Sequence, residues 1–232
     1  MSEPRSFRQS RFVPPPGACE ILLVRHGESA PAVEGESFPL VDGRGDPPLA
    51  LEGIVQAQQA AERLLATGEN IAAVYVTSLR RTQQTAEPLV AVLGLEPTVE
   101  PDLREVGLGE WEGGEFRRRV ADDDPVAVEM YERQRWDVIP GAEPLDDFRA
   151  RVHRGITRIA GAHRDEVVVA YVHGGVIGEV INLATGSSGF AFTASANASI
   201  SHVVVDGERW LVQCFNDTSH LSPTVSAAAS IG

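Results

Sequence analysis

Three short apolar runs, separated by longer amphipathic segments, constrain the fold of this chain more than any other feature. The runs cover residues 21–24, 71–76 and 167–172, and none shows the apolar-polar alternation of a half-exposed strand. Continuously apolar strands are typical of parallel sheets that are covered by helices on both faces. The sequence therefore predicts an α/β fold, a three-layer sandwich with a mostly parallel sheet between two helical layers.

The segments between the runs have the period of amphipathic helices. One predicted apolar face consists of Ile54, Ala57, Ala61, Leu64 and Leu65, and a second consists of Leu145, Phe148, Val152, Ile156 and Ile159. Such faces pack against a sheet. Strands and helices that alternate along the chain are what a three-layer sandwich requires.

The C-terminal part of the chain has a different pattern. Two β-rich runs flank Asp206 and Gly207, a pair that favours a tight hairpin, so we expect an antiparallel strand at the edge of the sheet. Residues 1–18 are polar and contain prolines, and residues 222–232 are mostly small. We therefore expect one catalytic domain at 19–221, between a flexible N-terminal arm and a flexible C-terminal tail.

The charge balance narrows the classes of partner. The 20 Lys and Arg residues against 33 Asp and Glu residues give a formal net charge of −13. Nucleic acids and anionic membranes attract positive surfaces, so neither is an expected partner. The N-terminus lacks the apolar run of a secretory signal, and no run of 18 apolar residues occurs. We expect a cytoplasmic protein.

Polar residues follow each of the three predicted strands. Arg25-His26-Gly27 comes after the first, Arg80-Arg81 lies just beyond the second, and His173-Gly174-Gly175 comes after the third. The carboxyl ends of parallel strands meet at one edge of a sheet, where ligands bind. Two histidines and several arginines are therefore expected to lie close together.

This combination of side chains indicates chemistry on a phosphate group. Forked arginine donors match a tetrahedral phosphate, and glycines let backbone N–H groups approach it. A neutral imidazole facing a bound phosphorus is a nucleophile, and Arg25 beside His26 favours the neutral form. The triplet His26-Gly27-Glu28 lacks the cysteine pair of a zinc hydrolase, and no P-loop motif occurs, so we expect neither a metal nor a cofactor.

Four segments of the sequence together resemble the histidine phosphatase superfamily, the phosphoglycerate mutase-like phosphatases with two histidines. They are LLVRHGES, TSLRRTQQTA, LREVGLGEWEG and AYVHGGVI, and they occur in the order of the family between residues 22 and 177. The resemblance implies that His26 is the nucleophile that becomes phosphohistidine. It implies that Arg25, Arg81 and His173 surround the phosphate, and that Glu105 gives a proton to the leaving oxygen.

The sequence departs from the family pattern in places that bear on the site. Ala32 stands where many members have a phosphate-binding asparagine, and Ala50 stands where they have a helix-capping threonine. That helix cap is therefore missing unless Asp46 or a neighbouring residue supplies it. Residues 30–46 form a long acidic loop, and residues about 114–141 are a helical insert expected to act as a lid. Arg117–Arg119 in that insert could bind a second anionic group of a substrate, but we favour a solvated helix turn balanced by Asp122–Asp124 and do not count them as part of the site.

The function expected from these observations is metal-independent hydrolysis of a small phosphorylated metabolite through a phosphohistidine. The alternative is a phosphoglycerate mutase-type phosphotransferase, which the missing asparagine disfavours. A module that only binds a phosphorylated partner is a third hypothesis, and the presence of both histidines, both arginines and the acid argues against it. The family resemblance also suggests a homodimer. Neither the loop nor the insert identifies the substrate.

Overall fold

The computed structural model describes residues 6–221, and within them the chain forms an α/β structure. The strands, in chain order, are β1 (Cys19–Arg25), β2 (Leu40–Val41), β3 (Arg44–Gly45), β4 (Ile71–Val76), β5 (Thr98–Val99), β6 (Val167–Val172), β7 (Ile200–Asp206) and β8 (Arg209–Asp217). The helices are α1 (Leu51–Ala66), α2 (Arg80–Leu93), α3 (Glu115–Ala121), α4 (Pro125–Arg133), α5 (Leu145–Ala162) and α6 (Gly174–Thr185). Short 3-10 turns cover Pro101–Leu103, Gly109–Trp111 and Trp136–Val138.

The main sheet has the order β5-β4-β6-β1-β7-β8 within the described residues. β5, β4, β6 and β1 are parallel, whereas β7 is antiparallel to β1 and β8 is antiparallel to β7. This arrangement confirms the mostly parallel sheet with an antiparallel edge. The hairpin between β7 and β8 turns at the predicted place, where Gly207 has a φ of +58°. β2 and β3 form a separate small ribbon beside the main sheet.

Side chains of the central strands enter two separate cores, one on each face of the sheet. From β1, Ile21 and Leu23 point to the side covered by α5, α6 and the 114–141 segment. Leu22 and Val24 point to the other side, which α1 and α2 cover. The continuous apolar runs are therefore explained by burial on both faces, and the predicted three-layer sandwich is confirmed.

The first turn of α1 corrects one detail of the predicted helical faces. The periodicity predicts a buried Ile54, but its side chain is 53% exposed, so that prediction is wrong. The backbone of Gly53 is pressed against the carbonyl of Glu28, since a Cβ on Gly53 would lie only 2.0 Å from that oxygen. Successive helical residues point about 100° apart, so Ile54 faces solvent when Gly53 faces the loop.

The predicted N-terminal arm, C-terminal tail and helical insert can be compared with the described residues. Residues 6–18 contain neither helix nor strand and are mostly exposed, while residues 1–5 and the predicted tail 222–232 lie outside the described residues. The insert is helical as expected, and it is anchored by buried Phe116, Met130 and Trp136. Its action as a lid stays a prediction.

Candidate active site

His26 lies at the carboxyl end of β1, where its backbone is fixed by segments distant in sequence. Its N–H donates to the carbonyl of Val172 (3.0 Å), and its own carbonyl accepts from the N–H of Ala198 (3.2 Å) and from Nδ2 of Asn197 (3.0 Å). The ring nitrogen Nδ1 is 2.8 Å from the carbonyl oxygen of Gly27. A carbonyl oxygen only accepts, so Nδ1 carries the proton and Nε2 keeps its lone pair.

The surroundings of His26 keep its imidazole neutral. Burial is the largest cause that lowers the pKa of His26 well below its ordinary value, and the charges of Arg81 and Arg25 lower it further. The hydrogen bond to Gly27 acts in the opposite direction but does not outweigh them. An unprotonated Nε2 is the form that can attack an electrophile.

His173 follows β6 directly and lies against His26, with ring centroids 5.2 Å apart. Burial, followed by the charge of Arg81, lowers the pKa of His173 well below its ordinary value, so this ring is neutral as well. Its Nε2 is 3.1 Å from Oγ1 of Thr77, whereas its buried Nδ1 has no hydrogen-bond partner among residues 6–221. Buried polar atoms rarely lack partners, so Nδ1 is an atom through which the ring can bind a ligand.

Arg25 and Arg81 provide buried positive charge at the same sheet edge. Nη1 of Arg25 donates to the carbonyl of Ser195, and Nη1 of Arg81 donates to the carbonyl of Gly45 at 2.9 Å. Burial lowers the pKa of each guanidinium to about 10, although the nearby Glu105 carboxylate opposes this shift. Both groups therefore remain cations near neutral pH, and their charge attracts an anion to this edge of the sheet.

Glu105 lies in the loop after the 3-10 turn Pro101–Leu103 and reaches across to the start of α6. Its Oε1 accepts from the N–H of Val106 (3.0 Å), and its Oε2 accepts from the N–H of Gly175 (3.2 Å). A side chain at Gly175 would prevent this contact, because a Cβ there would lie 2.6 Å from Oε1 of Glu105. The second glycine after His173 is thus explained by the close approach of the carboxylate.

Three of the five predicted site residues, His26, Arg81 and Glu105, line one cleft of about 570 Å³, counting its open mouth. Its polar walls include His26, Arg44, Arg81, Glu105, Glu112 and Arg117, and its apolar walls include Phe38, Val106, Leu108, Trp111 and Phe116. Arg25 lines an adjoining pocket that shares Glu105 with this cleft, and the ring of His173 contacts the ring of His26. Among the charged groups around the cleft, arginines outnumber carboxylates, so the cleft favours an anion although the chain is strongly acidic overall.

Arg117 is a residue of the cleft that the sequence did not assign to the site. Its Nη1 donates to the carbonyl of Ala30 and its Nη2 to Oγ of Ser29, both at 2.7 Å, and its guanidinium lies 5.7 Å from the ring centroid of Phe38. Burial lowers its pKa, which the charge of Glu28 opposes. Its interpretation as a solvated residue is wrong, because the insert folds back over the loop that follows β1.

The two neighbours of Arg117 do behave as surface residues. Arg118 and Arg119 pair with Glu115 on the same helix, and Arg119 also pairs with Asp124 at 2.8 Å. A run of three arginines gives no sign in the sequence of which one turns inward. The one signal that points to the site is the place of the run in an insert that is expected to cover it.

The two departures from the family pattern have structural outcomes. Ala32 lies beside the insert, since a Cβ built on Gly114 would be 3.1 Å from the Cβ of Ala32. α1 begins after Ala50 with no side-chain cap. Asp46 instead caps α2, because its Oδ1 accepts from the N–H of Arg80 at 2.9 Å. Asp46 therefore stabilises the helix that presents Arg81.

Comparisons with known proteins agree with this geometry. A family model of the histidine phosphatase superfamily (branch 1) matches residues 21–218, which include every residue predicted for the site. Phosphoglycerate mutase-like protein 4 of Arabidopsis thaliana is 34% identical over 88% of this chain and 88% of its own length. The metal-independent phosphoserine phosphatase of the same plant is 31% identical over 88% of this chain and 83% of its own.

A solved structure has the same fold. The mycobacterial glucosyl-3-phosphoglycerate phosphatase superposes with a TM-score of 0.70 at 25% identity, covering 87% of this chain and 100% of that one. Among residues 6–221 no helix is both long and apolar enough to cross a bilayer. The same residues contain no group of three or more His, Cys, Asp or Glu placed to hold a metal ion.

Proposed function

We propose that this chain, which belongs to the histidine phosphatase superfamily, hydrolyses a small phosphorylated metabolite without a metal ion, through a phosphohistidine on His26. The observation that carries the proposal is the state of the His26 ring. Its proton is held on Nδ1 by the carbonyl of Gly27, and its neutral Nε2 belongs to a cleft rich in arginines. A nucleophile and an anion-binding site therefore coincide.

In the first step Nε2 of His26 attacks the phosphorus of the bound monoester. The N–P bond forms while the bond between phosphorus and the ester oxygen breaks. Glu105 gives its proton to that oxygen, so an alcohol leaves and not an alkoxide; general acid catalysis of this kind contributes about a hundred- to ten-thousand-fold. Arg25, Arg81, Arg117 and Nδ1 of His173 bind the oxygens of the transferring group, where charge accumulates.

In the second step a water molecule attacks the phosphohistidine. Glu105, now a carboxylate, takes a proton from the water as the O–P bond forms and the N–P bond breaks. Inorganic phosphate leaves, and the neutral His26 and the protonated Glu105 are restored. The same carboxyl group serves as acid and then as base, which explains why it lies on the cleft wall rather than beneath the histidine.

The second candidate is a mutase in which the phosphohistidine passes its phosphate to another oxygen of a phosphoglycerate. Its support is the similarity to an Arabidopsis protein named phosphoglycerate mutase-like. The two candidates share the first step and differ in the acceptor. A requirement for a bisphosphoglycerate primer would identify the mutase.

The test is phosphate release from a panel of phosphomonoesters with EDTA present, for the wild type and for His26→Ala. We expect release by the wild type and none above background by the variant. His153→Ala is a matched control, because His153 lies on α5 and stacks on Trp210 away from the cleft. The intermediate is trapped by stopping the reaction in alkali, where the N–P bond of phosphohistidine survives. Loss of the bound phosphate in acid then distinguishes phosphohistidine from an ester such as phosphoserine, which is stable in acid.

Activity that disappears with EDTA would contradict the metal-independent mechanism. Activity that persists in His26→Ala would exclude the phosphohistidine route. Absence of release from every ester, with rapid interconversion of phosphoglycerates after priming, would replace the phosphatase by the mutase.

A further inference from the structure

A buried ion pair behind the loop of Glu105 has no part in the two chemical steps. Arg151 lies on α5, on the buried face that also carries Phe148 and Val152, and is only 8% exposed. Its guanidinium makes a double contact with Glu143, at 2.6 Å from Nε to Oε1 and 2.8 Å from Nη2 to Oε2. It also donates to three backbone carbonyls of the adjacent loop, those of Asp102 (2.8 Å), Arg104 (2.6 Å) and Glu105 (2.8 Å).

Glu143 holds the other side of the same loop. Its Oε2 accepts from the N–H of Gly107 at 3.0 Å and from Nη2 of Arg44 at 3.1 Å. Arg44 in turn donates from Nε to the carbonyl of Glu105 at 3.1 Å. Although burial opposes it, the bonds from Arg151 keep the pKa of Glu143 below its ordinary value, so the pair is ionised.

Together these contacts fix the backbone on both sides of the Glu105 side chain. The carbonyl of Glu105 is bound by two guanidinium groups, and the N–H of Gly107 is bound by the carboxylate of Glu143. Residues 104–108 belong to neither a helix nor a strand, so these side-chain contacts, together with the backbone hydrogen bond from the N–H of Glu143 to the carbonyl of Gly107 (2.8 Å), hold the loop. The side chain of Glu105 then reaches from this fixed backbone to the N–H of Gly175.

We propose that Arg151 and Glu143 are positioning residues that place the carboxyl group of Glu105 where it can protonate the leaving oxygen. The inference rests on the proposed function, and it concerns one part of it, the transfer of a proton to the leaving group. Buried ion pairs often add little net stability, because desolvation offsets their attraction. A pair that instead fixes the position of a catalytic acid has a direct effect on the rate, since displacing such a group by about 1 Å lowers the rate on the order of a hundredfold.

The test compares two esters that differ in their need for an acid. An alkyl phosphate has a poor leaving group that depends on protonation, whereas 2,4-dinitrophenyl phosphate releases 2,4-dinitrophenolate, which leaves readily as an anion without a proton. The parameter is kcat/KM, which reports the steps up to the release of the alcohol and excludes hydrolysis of the intermediate. Arg151→Lys keeps the charge but loses the planar fork that makes several bonds at once, and Glu143→Gln keeps the shape but loses the charge.

We expect each variant to lose about tenfold to a hundredfold in kcat/KM for the alkyl ester. The value for the dinitrophenyl ester should stay within about threefold, which shows in the same sample that the cleft is folded and still binds phosphate. Glu105→Gln should show the same selective loss. In the double variant Glu105→Gln/Arg151→Lys the losses for the alkyl ester should not add, since both substitutions remove one contribution.

The matched control is Arg158→Lys on the same helix. Arg158 also binds the loop, at Glu100 (2.6 Å) and Asp102 (2.9 Å), but these contacts lie before residues 104–107. We expect it to leave the ratio between the two esters unchanged. Equal losses for both esters in Arg151→Lys, additive losses in the double variant, or the same selectivity in Arg158→Lys would each overturn the positioning role.

The two esters also separate this inference from the proposed function. If Glu105→Gln shows no preference between the esters, Glu105 is not the acid, and both the acid role and its positioning are rejected. If Glu105→Gln is selective and Arg151→Lys is not, the proposed function stands and the positioning role fails.

Discussion

The substitution Gly175→Ala is a direct test of where the carboxyl group of Glu105 has to lie. A Cβ at this position would be 2.6 Å from Oε1, whereas ordinary contact begins at 3.4 Å, so the carboxyl must retreat by about 0.8 Å. The retreat also breaks or lengthens the 3.2 Å hydrogen bond from the N–H of Gly175. A displacement of this size is expected to lower kcat/KM for an alkyl phosphate by roughly tenfold to a hundredfold.

The same substitution should change stability very little. Alanine for glycine in a helix stabilises by about 0.4–1 kcal/mol through the unfolded state, and the lost hydrogen bond to Glu105 costs about 1 kcal/mol. The two effects nearly cancel, so we expect the Tm to move by no more than about 4 °C. A thermal melt of the same sample therefore separates loss of activity from loss of fold.

Gly161→Ala is the matched control, because Gly161 lies in α5 and a Cβ there would have no neighbour within 4 Å. We expect it to raise the Tm slightly and to leave kcat/KM unchanged. If Gly175→Ala also keeps kcat/KM for the alkyl ester within about twofold of the wild type, the position of the Glu105 carboxyl does not matter for catalysis. The assignment of Glu105 as the acid would then be refuted.

Three further substitutions or conditions test other parts of the structure. His26 and His173 are neutral in the folded protein because burial lowers the pKa of each ring, so below about pH 6.5 the unfolded chain binds more protons than the folded one and the protein becomes less stable. Between about pH 7 and pH 5 the Tm of His26→Gln should therefore fall less than that of the wild type. An equal fall in both proteins would contradict the burial argument. Arg117→Met should raise KM for a phosphomonoester about tenfold through loss of a charged donor, and an unchanged KM in a titration of initial rates would remove Arg117 from the site. Asp46→Ala should cost about 1 kcal/mol in urea unfolding because α2 loses its cap, and an unaltered midpoint would show that the contact with the N–H of Arg80 has no net value.

The strands and helices that position the site could be predicted because short contiguous segments of the sequence determine them. Buried strands are continuous apolar runs, and ligands bind at the carboxyl ends of such strands, so the sequence alone predicts that His26, His173 and at least one of Arg80 and Arg81 lie together. The choice of Arg81 over Arg80 comes from the resemblance to the family. Glu105 is identified only by the resemblance to the family. A single glutamate in a loop carries no periodicity and no strand end that would distinguish it from a solvated residue.

The residues that the sequence does not reveal act across long separations. Arg117 contacts Ser29, which is 88 residues away, and Arg151 contacts Glu105, which is 46 residues away. No local pattern encodes such pairs, since they depend on how the insert and α5 pack on the sheet. Arg151 does leave one signal, because it falls on the apolar face between Phe148 and Val152, where an unpaired charge would be costly.

The position of β1 in the sheet has a consequence for how the protein is made. β1 pairs with β6 on one side and with β7 on the other, and these strands begin at Val167 and Ile200. During synthesis at about 5–20 residues per second, β1 gains its second neighbour only when most of the chain has left the ribosome. The carbonyl of His26 likewise gains its hydrogen bonds only after Asn197 and Ala198 have been synthesised. His26 is thus translated 171 residues before Asn197, one of the residues that fix its backbone, so the site cannot be complete before that later part of the chain has folded.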